Sequence, residues 1–140
     1  MAESEAGGER LPVLIFEIGR RHFCLDARKV ESVVAWHEPV KLPGGHPRIR
    51  GVLQDRGRVV TVLQHPFDGS DPPAPTDERP LRILVCSTPQ GHLGIVASQT
   101  FEIETLTLAG EPSHGTTIET SRGPATFAAS DAIALEIVGD

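Results

Sequence analysis

An internal repeat constrains the fold of this 140-residue chain more than any other feature of its sequence. When the segment that starts near residue 81 is moved back by 70 positions, its apolar residues fall without a gap on those of the first part of the chain, so that Leu84 coincides with Leu14. An offset of 66 positions then places Arg122-Gly123 on Arg56-Gly57. Repetition at a fixed spacing indicates that one supersecondary unit occurs twice. The sequence therefore predicts two related lobes.

Each unit is predicted to contain two β-hairpins. In the first unit, residues 11–18 and 22–27 are apolar runs that flank a Gly-Arg-Arg turn. A second pair of apolar runs spans residues 49–63, with Gln54-Asp55-Arg56-Gly57 as the turn between them. Gly57 allows the chain to reverse there, because glycine adopts backbone conformations that are costly for other residues.

The stretch between the two hairpins is predicted to be helical. Val30, Val33 and Val34 recur at the i, i+3 and i+4 positions, a spacing typical of one face of an α-helix. Asp26 immediately precedes this pattern and is a favourable N-cap residue. We therefore predict a short helix over residues 27–36.

A proline-rich stretch separates the two units. Residues 68–80 carry four prolines and, apart from these, no large apolar side chain, which predicts a solvated loop. Lobe one then comprises residues 11–67 and lobe two residues 81–140. At roughly 60 residues each, the lobes are too small to be stable separately, so they are expected to share an apolar core.

The predicted fold is therefore mainly β, with two small closed lobes, because curling a small sheet removes its exposed edges. The length of the chain favours one domain, predicted at residues 11–140. Residues 1–10 are acidic, lack an apolar pattern, and are predicted to form a disordered tail.

Composition excludes several classes of function. The net charge of -6 and the pI of about 5.5 argue against nucleic-acid binding, which needs a dense basic patch. No apolar run approaches the roughly 20 residues needed to cross a bilayer, so we expect a cytoplasmic protein with no direct membrane insertion. Cys24 and Cys86 lie within apolar runs and are expected to be buried thiols, a setting in which a disulfide is disfavoured.

No pattern of catalytic or metal-ligating residues emerges from the sequence. The histidines lack helical spacing and an accompanying Cys-x-x-Cys, and no serine or cysteine occupies a nucleophile elbow. A small metal-dependent hydrolase is therefore the least favoured interpretation, and scattered surface histidines are expected instead. Protein binding without catalysis or a cofactor is favoured by elimination. The six histidines are His22, His37, His46, His65, His92 and His114.

Three segments together resemble the CheW-like domain of bacterial chemotaxis adaptors. They read "VLIFEIGRRHFCLDARKVESVVAW", "VKLPGGHPRIRGVLQDRGRVVTVL" and "GHLGIVASQTFEI", and they cover about residues 12–108. The most specific part is the central one, where the family has approximately Ile-x-Gly-Val-x-Asn-Leu-Arg-Gly before an apolar strand.

The resemblance implies two five-stranded, SH3-like barrels with a shared core and one or two short helices. It implies a non-enzymatic adaptor that binds the regulatory domain of a CheA-type histidine kinase and the cytoplasmic tip of a chemoreceptor. A monomer is expected, recruited to membrane-associated receptor arrays.

The resemblance also suggests which residues bind partners. Arg56 and the helix valine Val30 correspond to receptor-facing positions, and Gln54, Asp55 and Gly57 flank Arg56 in its turn. The strand and helix of lobe two, from about Gly94 to Ile103, correspond to regions near the kinase contact of the family.

The sequence departs from the family at several points. Gln54-Asp55 replaces the Asn-Leu pair, which predicts that the Asp55 carboxylate neutralises Arg56 within the turn. Ser32 stands where the family has an acidic residue, Ala97-Ser98 replaces a Val-Asp pair, and little of the final helix is expected. A divergent CheW-fold scaffold, with receptor binding altered or lost and another signalling complex as its partner, is the alternative function.

Overall fold

The computed structural model describes residues 8–74 and 80–139. In this part of the chain, ten strands are accompanied by one turn of 3-10 helix at Ala27–Lys29 and by one α-helix, α1, at Ser130–Gly139. The strands are β1 Glu9–Ile18, β2 Arg21–Asp26, β3 Val30–Ala35, β4 Ile49–Asp55, β5 Arg58–Leu63, β6 Arg82–Thr88, β7 Gly91–Ala97, β8 Gln99–Leu108, β9 Thr117–Thr120 and β10 Gly123–Phe127.

The strands form two five-stranded sheets with equivalent topologies. Sheet A has the order β8-β1-β2-β10-β9, and sheet B has the order β3-β6-β7-β5-β4. Replacing each strand of sheet A by its partner in the internal repeat reproduces the order of sheet B. The predicted fold class, mainly β with two five-stranded lobes, is confirmed.

The lobes are not consecutive in the sequence, however. Each sheet takes two strands from one half of the chain and three from the other, and the halves meet at the antiparallel pairs β1–β8 and β3–β6 and at the parallel pairs β2–β10 and β5–β7. The predicted division into residues 11–67 and 81–140 is therefore wrong. Parallel pairing joins strands that are distant in sequence, so that local turn and apolar patterns carry no signal for it.

Three apolar cores hold this arrangement together. Val13 and Ile15 of β1 point into a core enclosed by sheet A, whereas the alternate residues Leu14 and Phe16 point into a core shared by both sheets. A third core lies within sheet B. Alternation along β1 thus serves two cores at once. The shared core that the small lobe size predicts is confirmed.

The predicted helix over residues 27–36 is wrong. Asp26 does act as a cap, because its carboxylate accepts a hydrogen bond from the Arg28 amide at 2.9 Å, but only one 3-10 turn follows. The chain then enters β3, which pairs with β6. Val33 is 43% exposed whereas its neighbour Val34 packs on the core of sheet B. β-branched residues favour this extended conformation once a partner strand is available.

The expectation that little of the final helix is present is also wrong. Helix α1 spans ten residues and buries Ile133 completely in the shared core. Asp131 lies in its first turn, where a negative charge interacts favourably with the helix dipole and stabilises the helix. It also accepts a hydrogen bond from the Lys29 ammonium at 2.8 Å.

The predicted tail and the predicted proline-rich loop lie only partly within the described residues. Strand β1 begins at Glu9, which pairs with Leu108, so the predicted tail over residues 1–10 extends too far. Its first seven residues lie outside the described part of the chain. Residues 68–74 of the proline-rich loop carry no strand or helix, and residues 75–79 are not described.

The two cysteines are free thiols in different cores. Cys24 lies in the core of sheet A and Cys86 in the shared core, and both are fully buried. Burial raises the pKa of each thiol to about 12, with smaller contributions from Glu104 beside Cys24 and Asp131 beside Cys86. Both thiols are therefore protonated and unreactive at neutral pH. None of the helices in the described residues is both long and apolar enough to span a membrane.

Candidate functional site

The β4–β5 hairpin holds Arg56 in an unusual backbone conformation. Asp55 pairs with Arg58, so the turn consists of two residues, Arg56 and Gly57, rather than the predicted four. Their φ angles are 55° and 81°, the positive values that a type I′ hairpin turn requires. Arg56 is the one residue other than glycine with a positive φ among those described. Such a conformation costs about 1 kcal/mol, and its retention suggests a functional constraint.

Four polar side chains tie this hairpin to strand β3, and we call them the polar clasp: Glu31, Ser32, Asp55 and Arg58. The Asp55 carboxylate accepts hydrogen bonds from the Arg58 guanidinium at 2.7 Å and from the Ser32 hydroxyl at 3.0 Å. Arg58 also donates to the Glu31 carboxylate. Since β3 and β4 are the two outer strands of sheet B, the polar clasp closes that sheet through side chains.

The polar clasp leaves Arg56 uncommitted. Partial burial alone raises the pKa of Asp55, but the hydrogen bonds from Arg58 and Ser32 and the Arg58 charge outweigh it and hold the pKa below its usual value. The carboxylate predicted to neutralise Arg56 is thus hydrogen-bonded to Arg58, and the Arg56 charge is only the last of the causes that lower its pKa. Arg56 is exposed, and no described residue accepts a hydrogen bond from its guanidinium.

Sheet A is closed in an equivalent way, with one difference. Glu104 of β8 accepts hydrogen bonds from the Ser121 amide at 3.1 Å and from the Ser121 hydroxyl at 2.9 Å, which joins the outer strand β8 to the β9–β10 turn. Arg122, the repeat partner of Arg56, stacks its guanidinium 3.9 Å from the centre of the Phe101 ring. Of the two equivalent arginines, Arg122 is therefore engaged within the fold and Arg56 is not.

The outward side of the β4–β5 hairpin carries a continuous set of side chains behind Arg56, which we call the hairpin face. Register places Gln54 opposite Val59 and Val52 opposite Thr61, on the side away from the buried pair Leu53 and Val60. Val59 is 59% exposed. Sequence reasoning missed Val59, although the alternation of side chains along a strand, which puts it on the same side as Thr61 and opposite to Val60, could have indicated it. The hairpin face comprises Val52, Gln54, Arg56, Val59 and Thr61.

The hairpin face leads into a depression of about 400 Å³. Val52 and Thr61 form one side of it, and the segment after β3 forms the other, with Leu42 as an exposed apolar residue at its rim. Apolar surface beside an uncommitted arginine is the composition found in protein interfaces.

The remaining predicted site residues lie elsewhere. Val30 begins β3, is half-buried, and packs against the shared core, so that Val33 is the exposed valine of this segment. Ile103 is 61% exposed on β8 of sheet A. Gly94 is buried in β7 and its own position offers no surface to a partner.

Gly94 has a packing role that makes substitution costly. A Cβ atom there would lie 3.0 Å from Val60 Cγ1 and 3.1 Å from Ile83 Cγ2, both within the core of sheet B. We expect Gly94→Ala to lower the free energy of unfolding by about 1–3 kcal/mol, because the core must expand. Urea denaturation measures this change. Gly19→Ala is a poor control because its φ is 63°, whereas Gly110→Ala meets no atom within 4 Å and should cost far less. Equal losses of stability in Gly94→Ala and Gly110→Ala would contradict the packing role of Gly94.

The sequence predicts that the histidines are scattered over the surface, but two of them are not. His65 is only 6% exposed and His114 is partly buried. Across residues 8–74 and 80–139, no three His, Cys, Asp or Glu side chains come together as a metal site would require.

Comparison with known proteins identifies the class to which this fold belongs. The family profile described as the CheW-like domain matches residues 12–119, and the chain belongs to that family. The resemblance inferred from sequence motifs is thereby confirmed.

Individual relatives support the same assignment. Chemotaxis protein CheW of Bacillus subtilis (strain 168) is 30% identical over 56 residues, which amount to 40% of this chain and 35% of that protein. The chain thus matches about a third of the length of that relative. The crystal structure of the scaffolding protein TtCheW from Thermoanaerobacter tengcongensis superposes with a TM-score of 0.75 over 94% of this chain and 97% of that one, at 16% identity. This likeness concerns the fold.

Proposed function

We propose that this protein is a non-enzymatic coupling protein that binds a chemoreceptor tip and the regulatory domain of a CheA-type histidine kinase. Membership of the CheW-like scaffold family in chemotaxis supports the choice of partners. The observation that carries the proposal is the uncommitted Arg56 at the end of the hairpin face. In this proposal the protein works in the cytoplasm as a monomer and is recruited to receptor arrays.

The hairpin face is suited to a helical receptor tip. Arg56 presents a planar guanidinium that can donate two hydrogen bonds to one carboxylate or to backbone oxygens. Because the turn is short and the polar clasp holds it against β3, little conformational entropy is lost when a partner binds. Val59 and the depression beside Leu42 supply apolar surface next to this charge.

The kinase contact is proposed on the other sheet. Gly94 is buried in β7 of sheet B, so of the two residues predicted to mark the kinase contact only Ile103, exposed on β8 of sheet A, offers a side chain to a partner. Arg56 belongs to sheet B and Ile103 to sheet A. Two partners on different sheets can be held at a fixed relative geometry, which is what coupling requires.

Binding measurements with two purified partners test this proposal. We expect Ile103→Glu to weaken binding of the kinase regulatory domain at least about tenfold, since it places a charge in an apolar contact, while receptor binding stays unchanged. Isothermal titration calorimetry measures both. Leu135→Glu, at a 58% exposed position on α1, is the matched control and should leave both affinities unaltered. Failure of the unsubstituted protein to bind either partner would overturn the proposed function.

The alternative scaffold function has a specific observation in its favour. Ser32 and Asp55, two departures from the family pattern, are both built into the polar clasp. A hairpin closed by different residues could present Arg56 to a different signalling partner. Recovery of chemoreceptors when the protein is purified from its own cells would count against this alternative.

A further inference from the structure

Two histidines lie where separate segments of the chain meet between the sheets. The His65 ring lies edge-on to Phe23, with 5.6 Å between the ring centres, and its Nδ1 accepts a hydrogen bond from the Phe67 amide at 3.0 Å. The His114 ring stacks in parallel on Phe67, with 4.2 Å between centres. Its Nδ1 accepts from the Ala129 amide at 3.0 Å, immediately before α1. We call His65, Phe67 and His114 the histidine latch.

The histidine latch helps to hold α1 in place. The bond from Ala129 to His114 fixes the start of the helix to the segment before β9. From the other side, Arg48 donates to the Glu136 carboxylate at 2.6 Å and to the Pro66 carbonyl at 3.1 Å. Helix α1 is thus connected to the latch through the bond from Ala129 to His114, and to the segment at Pro66, next to the latch residues, through Arg48.

Both imidazoles must be neutral for these bonds to exist. An Nδ1 that accepts a hydrogen bond from an amide carries no proton, and a proton added there would face the N–H donor. Burial lowers the pKa of His65, and the Arg21 and Arg48 charges act in the same direction, against the hydrogen bond with the Phe67 backbone and the weaker influence of Asp71. His46 and Asp68 are further ionisable groups that line the adjacent surface around Arg48.

His114 follows the same rule. Burial lowers its pKa, Arg48 adds to this, and Glu136 together with a hydrogen bond to Pro66 opposes it. Each imidazole has a lower pKa in the folded state than the value of about 6.5 in the unfolded chain. The unfolded chain therefore takes up protons first as the pH falls below about 6.5, and the free energy of unfolding decreases. Acid therefore weakens both ends of the histidine latch.

We propose that the histidine latch is a proton-operated release: uptake of one proton by each imidazole frees α1 and the adjoining loops while both sheets stay folded. The proton comes from solvent, occupies Nδ1, and replaces the accepted amide hydrogen bond. The separate cores of sheets A and B contain none of the latch residues, so the packing within each sheet does not depend on the latch. This inference does not depend on the proposed partners.

Hydrogen exchange of the full-length protein tests the release. The Ile133 amide, which donates to the Ala129 carbonyl at 3.0 Å, reports on α1, and amides of the inner strands β1 and β7 report on the sheets. Corrected for intrinsic exchange, protection of Ile133 should fall between pH 7.5 and 5.5, by up to about tenfold for each histidine and about a hundredfold in all, the limit set by an unfolded-state pKa of about 6.5. Protection in β1 and β7 should change much less.

A matched pair of variants assigns the effect to the two rings. In the double variant His65→Asn and His114→Asn, each asparagine keeps an acceptor oxygen near the Nδ1 position but cannot be protonated in this range, so most of the pH dependence should disappear. The exposed His37→Asn should retain it. A parallel loss of protection in α1, β1 and β7 would overturn the inference, as would full pH dependence in the double variant.

A measurement on the unsubstituted protein covers the case in which the double variant does not fold. Nuclear magnetic resonance follows proton uptake by each imidazole directly, and both should protonate only as Ile133 loses protection. Protonation of either ring with Ile133 still protected would overturn the release. The single tryptophan, Trp36, packs on the core of sheet B, and its fluorescence should stay constant through the transition.

Discussion

Arg56→Glu is expected to weaken binding of a chemoreceptor tip by about 30-fold or more, because the loss of a desolvated arginine contact costs roughly 2 kcal/mol. The free energy of unfolding should change by less than about 0.5 kcal/mol, since no described residue accepts a hydrogen bond from Arg56. Calorimetric titration with a receptor tip fragment measures the first quantity, and urea denaturation measures the second. Binding of the kinase regulatory domain, proposed to occur on sheet A, should not change.

The internal repeat supplies a matched control for this substitution. Arg122→Glu makes the same charge change in the equivalent turn of sheet A, where the arginine stacks on Phe101, and should leave receptor affinity intact. Arg56→Lys keeps the charge but loses the planar two-bond geometry, so an intermediate loss is expected. If Arg56→Glu and Arg122→Glu had equal effects on receptor binding, overall charge rather than the hairpin face would be responsible.

Neither half of the chain is expected to fold when the protein is divided between residues 74 and 80. The first half would hold β1 to β5, but β1–β2 would lack β8 and β10, and β3 and β5 would lack β6 and β7. Only separate hairpins would remain, and isolated two-stranded hairpins are marginally stable at best. Each half alone should give an amide spectrum typical of an unfolded chain, and mixing the two should restore the dispersion of the folded protein.

Concentration dependence provides the control for that experiment. The protein cleaved after folding should stay associated, and its urea midpoint should rise with protein concentration, because unfolding now also separates two chains. The uncleaved protein should show no such dependence. A half that unfolded cooperatively on its own would contradict the exchanged topology and would favour lobes that are consecutive in the sequence.

Short-range pattern predicted much of this molecule. The alternation and turn residues of the first hairpin and the reversal at Gly57 all depend on neighbours within a few positions. The helix over residues 27–36 failed for the same reason. Val30, Val33 and Val34 are compatible with either a helix or an extended strand, and pairing with the distant strand β6 decided between them.

Long-range contacts decided which side chains are available. Asp55 is adjacent to Arg56 in sequence, yet its carboxylate is bonded to Arg58 and to Ser32 of β3. Gly94 was predicted to mark a partner contact and instead lies in the core of sheet B, because residues from β5 and β6 crowd its position. No local pattern encodes these neighbours.

By itself, the sequence determined the repeat, the family, the hairpins and the arginine at the end of one of them. Apolar periodicity and turn chemistry are local properties, and they are readable in order along the chain. Only the tertiary structure decided that the two halves exchange strands, that Arg56 is uncommitted whereas Arg122 is stacked, and that two histidines pack on the same ring, Phe67. Each of these depends on which distant segments come together, and that is settled by the burial of three cores at once rather than by any one stretch of residues.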